Sequence, residues 1–110
     1  MAQIYTLDYS ITSNYYIFGG GLTSGSNTVP FIGLYNNGGL GGYYFLEWIV
    51  YYLNFGDGYN FFITSLSFAD DGTNMYALMR SKISNNLILS YILNNGGTVS
   101  KSVVISVNSE

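Results

Sequence analysis

The sequence predicts an all-β protein made of two tandem four-stranded antiparallel β-meanders. Three observations support this prediction: short apolar runs of strand length, turns rich in Gly and Asn between them, and a similar pattern in both halves of the chain. At 110 residues the chain is long enough for one domain with a core of its own. We expect a single domain with two repeats, about 1–58 and 59–110.

The second half of the chain shows the meander pattern most clearly. Its predicted strands are 64–68, 75–79, 87–93 and 99–107. An acidic turn with Asp70, Asp71 and Gly72 separates the first two, and Asn94-Asn95-Gly96-Gly97 follows the third. Because Gly and Asn tolerate positive φ, these turns favour hairpins between neighbouring strands.

The first half predicts the same order of elements in a looser form. Its predicted strands are 5–11, 15–18, 29–35 and 43–53. In the first strand, apolar and aromatic residues from Tyr5 to Ile11 alternate with polar ones, which predicts a half-buried strand. Gly19-Gly20-Gly21 and 23–28 predict a flexible loop. Pro30 is expected at the start of its strand or on a sheet edge, because it cannot donate to a β-ladder.

The two halves align residue by residue. Ile4, Leu7 and Tyr9 match Ile63, Leu66 and Phe68 at an offset of 59, Asn14 matches Asn74 at 60, and 36–39 matches 94–97 at 58. This change in the offset along the chain predicts that, relative to the first repeat, the second repeat has one extra residue in its first turn. It also predicts that the second loop of that repeat is two residues shorter. Duplication of a unit of this length indicates propeller blades or stacked β modules. The alternative is a chance likeness between turns rich in Gly and Asn.

Composition excludes several classes of function. The chain has no Cys and no His, which rules out disulfides, thiolate metal sites and imidazole catalysis. Three basic residues against six acidic ones, with no basic run, cannot form a nucleic-acid groove. The apolar stretch 43–53 is too short to span a bilayer and contains Glu47, so we expect no membrane insertion. The start of the chain shows no signal-peptide pattern.

The few candidate chemical groups favour structural roles. Glu47 lies within an apolar strand, where it is either buried with a raised pKa or, as we expect, turned to solvent. The segment 70–74 offers several oxygens but lacks the spacing of a Ca²⁺ loop, and Asp57-Gly58 is treated in the same way. Ser24 has neither a nucleophile elbow nor a His to activate it. We expect no enzymatic activity, no catalytic residue, no metal and no cofactor.

Aromatic residues are the strongest candidate site. With 12 Tyr, seven Phe and only 8% charged residues, the chain is rich in rings and poor in charge. The candidate interface or glycan-stacking aromatics are Tyr43, Tyr44, Trp48, Tyr51 and Tyr52. They suit either stacking on sugar rings or filling a contact between sheets or subunits, and we favour the contact.

The run from Trp48 to Asn95 resembles bacterial β-propeller repeats of the SBBP type. The resemblance rests on the strand 48–53, the turn Gly56-Asp57-Gly58, the segment 66–78 with its Asp-Asp-Gly-Thr-Asn turn, and the segment 89–96. The first repeat matches less well because residues 10–14 lack the acidic turn. The resemblance implies a blade-like fold in surface-exposed, often secreted repeat proteins, and it implies no catalytic residues.

Two blades cannot close a propeller, since known rings use roughly four to eight. Two isolated sheets would leave strand edges and an apolar face open. The module must therefore assemble with copies of itself, belong to a longer repeat chain, or fold into a closed sandwich. We expect a non-enzymatic, self-assembling structural module, a homo-oligomer or polymer in an extracellular filament or surface assembly. The alternatives are a carbohydrate-binding, lectin-like propeller fragment and a blade pair from a larger receptor.

Overall fold

The computed structural model describes residues 1–38, 45–53 and 60–106, which form two four-stranded antiparallel sheets. Sheet I contains β1 (Ala2–Ser10), β2 (Tyr15–Ser24), β3 (Asn27–Asn36) and β4 (Phe45–Tyr51) in that order. Sheet II contains β5 (Phe61–Phe68), β6 (Met75–Ser81), β7 (Asn86–Ile92) and β8 (Val99–Ser106) in that order. The predicted fold class of two tandem four-stranded meanders is confirmed. No segment in these ranges is a helix able to cross a bilayer.

The β-bulges of the two sheets support the internal repeat. The β1–β2 ladder shifts register between Ile4 and Thr6, and the β5–β6 ladder shifts between Ile63 and Ser65. These positions are related by the predicted offset of 59. Because a bulge twists a strand and re-aims its side chains, its recurrence keeps the residues of β1 and β5 in step at an offset of 59 along both first strands.

The hairpins explain the drift in offset, with one correction. The pairs Tyr9↔Tyr16 and Phe68↔Met75 enclose six residues each, so the predicted extra residue in the second repeat's first turn is wrong. The second hairpin is shorter in the second repeat than in the first, as predicted. The β2–β3 connection spans residues 22–29, and the corresponding β6–β7 connection spans residues 81–86, which is two residues fewer. The offset therefore falls from 59 to 57 after this hairpin.

The predicted loop at Gly19-Gly20-Gly21 is wrong, because β2 continues through it to Ser24. The hairpin turn is confined to Gly25 and Ser26, with Gly25 at φ 62°. A Cβ on Gly20 would lie 1.8 Å from the Gln3 carbonyl oxygen of β1, and one on Gly19 would lie 2.9 Å from Leu66 Cδ1 of β5. These glycines mark a strand with close neighbours rather than a flexible loop.

Pro30 is the fourth residue of β3, an inner strand of sheet I, so the expected edge position is wrong. Its carbonyl accepts a hydrogen bond of 2.8 Å from the Tyr52 N–H, just beyond the end of β4. The N–H and C=O of one strand residue point to the same side. The N–H that Pro30 lacks would therefore point towards β4, at the end of the β3–β4 ladder. The ladder with β2 therefore loses no bond.

The hydrophobic core lies between the two sheets. Ile17, Ile32 and Leu34 of sheet I are fully buried against the inner face of sheet II. Sheet II contributes Phe61, Ile63, Leu66, Met75, Ala77, Met79, Ile88 and Ile92. Burial of a Leu or Ile side chain stabilises a fold by roughly 1.5–3 kcal/mol, so the contact between sheets is the main source of stability.

Candidate functional site

The side of sheet I that faces away from the core is apolar and exposed over much of its area, although Phe31, between the rings of Phe18 and Tyr51, is only 3% exposed. Residues paired across strands share a face, so the register of β1 to β4 defines its members. We call this surface the first open face. Its main side chains are those of Ile4, Leu7, Tyr9, Tyr16, Phe18, Phe31, Tyr35, Leu46, Ile49 and Tyr51.

Several side chains of the first open face are largely accessible to solvent. Leu7 is 64% exposed, Ile4 60% and Tyr51 44%. Tyr9 and Tyr16 stack at a centroid distance of 4.7 Å, which keeps two rings side by side on the surface. All ten of these main side chains are apolar or aromatic. The surface therefore resembles the inside of a protein more than its outside.

The strand β1 faces sheet II mainly with polar residues. The exception is Tyr5, whose ring lies 5.3 Å from that of Phe62 in β5. The Thr6 hydroxyl accepts a hydrogen bond of 3.2 Å from the Leu66 N–H, and the Asp8 carboxylate accepts one of 2.9 Å from the Phe68 N–H. These bonds satisfy the edge of β5, whose backbone would otherwise be unpaired. The predicted strand forms, but it ends at Ser10, before Ile11, and the less exposed of its alternating residues are polar rather than apolar.

The edge of β1 has no equivalent partner within the described part of the chain. The Ser10 carbonyl accepts from the Asn14 N–H at 2.8 Å, on the β2 side of the strand. Backbone groups alternate sides along a strand. The N–H groups of Leu7 and Tyr9 therefore point towards the open edge, as those of Leu66 and Phe68 point towards Thr6 and Asp8.

The side of sheet II that faces away from the core is mixed in character. We call it the second open face; it consists of Ser65, Ser67, Tyr76, Leu78, Arg80, Leu87, Leu89, Tyr91, Lys101, Val103 and Ile105. Its apolar part is exposed, with Leu89 at 42% and Val103 at 59%. A shallow depression of about 180 Å³ lies there, lined by the side chains of Tyr76, Leu89 and Val103 among others. This depression could receive an apolar side chain.

The candidate aromatics occupy different places. Tyr51 lies on the first open face. Trp48 packs against the core between the sheets, and its Nε1 donates to the Asn94 carbonyl at 2.9 Å. Tyr52 is buried, and its hydroxyl donates to the Gly97 carbonyl at 2.7 Å. Burial raises the pKa of Tyr52 above its usual range. Tyr43 and Tyr44 lie outside the described residues, as do Asp57 and Gly58.

The predicted acidic groups act in local structure. Glu47 is exposed at the bulge of β4, as expected, and accepts a hydrogen bond of 2.9 Å from Asn36 Nδ2. Desolvation, together with the nearby Glu47 carboxylate, raises the pKa of Tyr15. In the acidic turn, Asp71 Oδ1 accepts the N–H groups of Thr73 and Asn74, each at 2.9 Å. These backbone bonds hold the pKa of Asp71 below its usual value, as in an Asx turn.

Sequence reasoning missed most of the first open face. It singled out aromatic residues between 43 and 52, whereas β1 and β2 supply half of the ten side chains, Leu7, Tyr9, Tyr16 and Phe18 among them. The available signal was the repeat alignment. Leu7 corresponds to the buried Leu66, so a Leu at the same position is covered in one repeat and uncovered in the other.

The fold and these surfaces define a class: an all-β protein of two meander repeats with an uncovered apolar sheet face. No family model, no curated protein and no solved structure matches the chain. The resemblance to SBBP-type repeats stays a prediction.

Proposed function

We propose that this protein is a non-enzymatic structural subunit that assembles with copies of itself into an extracellular filament or surface layer. The observation that carries the proposal is the first open face, an apolar and aromatic sheet surface exposed in the single chain. The extracellular setting rests on the resemblance to surface-exposed repeat proteins.

The size of the first open face supports association. Four strands spaced about 4.8 Å apart, with about seven residues of roughly 3.4 Å each, span roughly 450 Å². This is in the range of the largest apolar patch on a typical soluble monomer, roughly 300–600 Å², and such patches often mark interaction sites. Covering this surface would remove Leu7, Ile4 and Tyr51 from water, and each such side chain contributes roughly 1–2 kcal/mol.

Charge does little to oppose association. The chain carries a net charge of −3 with only 8% charged residues, and the first open face has none. A surface with so few charged residues gives weak protection against self-association. The open edge of β1 adds unpaired backbone donors at the same border, and strand edges favour contact with other chains.

Carbohydrate binding has less support from the described aromatics. Stacking on sugar needs a ring open to solvent. Trp48 and Tyr52 instead pack between the sheets and donate hydrogen bonds to Asn94 and Gly97. Their geometry fits the internal contact, so of the three candidates within the described ranges Tyr51 is the accessible one.

Size-exclusion chromatography with light scattering, followed by electron microscopy, tests the proposal over a series of concentrations. We expect mass to increase with concentration and ordered assemblies to appear in the images. The variant Leu7→Lys should remain monomeric, because it places a charge on the exposed β1 side of the apolar face. The control Ile83→Lys, at a turn residue 71% exposed and outside both open faces, should assemble normally. A wild-type chain that stays a uniform monomer at high concentration would overturn the proposal.

A further inference from the structure

We infer that the first open face of one copy packs on the second open face of the next, head to tail, by repeating the contact between the two sheets of a single chain. This inference rests on the proposed function and specifies which surfaces meet. The occupant of the first open face is therefore a second copy of this chain, presented through its sheet II.

The internal contact supplies the template for the incoming surface. Within one chain, Ile63, Leu66 and Phe68 of β5 pack on the inner face of sheet I. The residues that match them at an offset of 59, and at the same position relative to a bulge, are Ile4, Leu7 and Tyr9. These three lie on the first open face and are 40–64% exposed. Each copy therefore presents a second version of the surface that docks internally.

The surface of sheet I that receives sheet II within one chain also has a counterpart, on sheet II. On the inner face of sheet I, Ile32 and Leu34 of β3 are fully buried by sheet II. At the offset of 57 that holds after the shortened hairpin, they correspond to Leu89 and Tyr91 of β7. Both lie on the second open face, beside Val103. A copy thus has one docking surface and one receiving surface, both uncovered.

The polar border of the contact is repeated as well. Thr6 and Asp8 accept the edge N–H groups of β5, and their equivalents at an offset of 59 are Ser65 and Ser67. Both serines carry a hydroxyl acceptor at the rim of the second open face. The edge N–H groups of β1 in the next copy are the donors that these hydroxyls fit.

Along β6, the two sheets must lie further apart in the contact between copies than they do in the contact within one chain. The glycines that admit β5 to sheet I, Gly19 and Gly21, are replaced at these positions by Leu78 and Arg80. The apolar depression of about 180 Å³ beside Leu89 offers room for a displaced side chain. Since the contact joins two different surfaces, it extends into a filament or closes into a ring, depending on the rotation between copies.

A pair of single-face variants tests the arrangement. Leu7→Lys blocks the first open face and Leu89→Lys blocks the second, and both sites are exposed in the monomer. An unpaired charge buried in an apolar contact should weaken association by about 100-fold or more. We expect each variant alone to be monomeric and an equal mixture to form a one-to-one heterodimer that grows no further. Light scattering and native mass spectrometry of differently labelled chains measure this directly.

The outcomes separate the two proposals. If wild-type chains do not associate, the proposed function fails and this inference fails with it. If wild-type chains associate but Leu89→Lys alone associates equally well, two first open faces meet each other, and only the head-to-tail arrangement is wrong. A mixture without heterodimers also overturns it. Ile4→Lys and Val103→Lys, at residues 60% and 59% exposed, repeat the test if either first variant unfolds.

Discussion

Removal of the Asp8 carboxylate should loosen the contact between the two sheets. Asp8 Oδ2 accepts the Phe68 N–H at 2.9 Å, from sheet I to the edge of sheet II. The variant Asp8→Ala leaves that N–H without its acceptor at a partly buried site. This contact links residues 60 positions apart, so its loss affects docking of the repeats rather than a local turn.

The size of the effect follows from the kind of bond. Hydrogen bonds to charged groups contribute roughly 1.5–3 kcal/mol, and an orphaned buried donor costs a similar amount. Because the site is only partly buried, we expect a loss of about 2 kcal/mol in the free energy of unfolding. For a chain of this size that corresponds to a decrease of about 8 °C in Tm. Asp8→Asn keeps an oxygen acceptor and should lose about half as much.

Urea unfolding monitored by Trp48 fluorescence is a suitable assay, because the single Trp packs between the sheets. The measurement is made in the Leu7→Lys background, so that association does not add to stability. Asp70→Ala is the matched control, since it removes an exposed carboxylate from a turn. Equal unfolding free energies for Asp8→Ala and Asp70→Ala would show that the Asp8 bond does not hold the sheets together.

Three further perturbations probe other parts of the fold. Gly20→Ala should destabilise the chain by about 3 kcal/mol in urea titration, because its Cβ would lie 1.8 Å from the Gln3 carbonyl oxygen; a midpoint unchanged from wild type would refute the close approach of β1. Tyr52→Phe should cost about 1 kcal/mol at neutral pH through the lost bond to Gly97. The pKa of the Tyr52 hydroxyl is raised above its usual 10.0, so its contribution to stability is complete below that value and is lost as the pH rises through the higher, folded-state pKa. The Tm of Tyr52→Phe should therefore depend less on pH in the alkaline range than the Tm of the wild type. Because the pKa of Asp71 is lowered from its usual 3.8, its contribution is present above that value and is lost as the pH falls through the lower, folded-state pKa; acid titration of Asp71→Asn should show a weaker dependence there, and an identical acid limb would contradict the Asx-turn bonds.

Turn chemistry and alternation predicted the sheets well. The acidic turn with Gly72 at φ 73° and the Asn-Gly turn with Gly96 at φ 68° end strands where expected. Both turns depend on local backbone preferences, which are written in neighbouring residues. The repeat offset was also readable, because duplicated hairpins keep their spacing.

The glycine-rich part of β2 could not be predicted in the same way. From sequence alone, Gly19-Gly20-Gly21 looks like a flexible loop, because glycine adds conformational freedom. The reason for these glycines lies in distant residues, Gln3 of β1 and Leu66 of β5, which approach the strand too closely for a Cβ. Only the packed sheets show that contact.

The sequence by itself determined the number of strands, their meander order and the similarity of the two halves, because hydrophobic period and turn chemistry are local properties. The tertiary structure decided which side of each sheet is covered. Alternation gives β1 two faces but does not say which one meets the neighbouring sheet, and here Thr6 and Asp8 point inwards to complete the edge of β5. Leu7 is left exposed while its counterpart Leu66 is buried, because one chain supplies only one neighbour for two similar sheets.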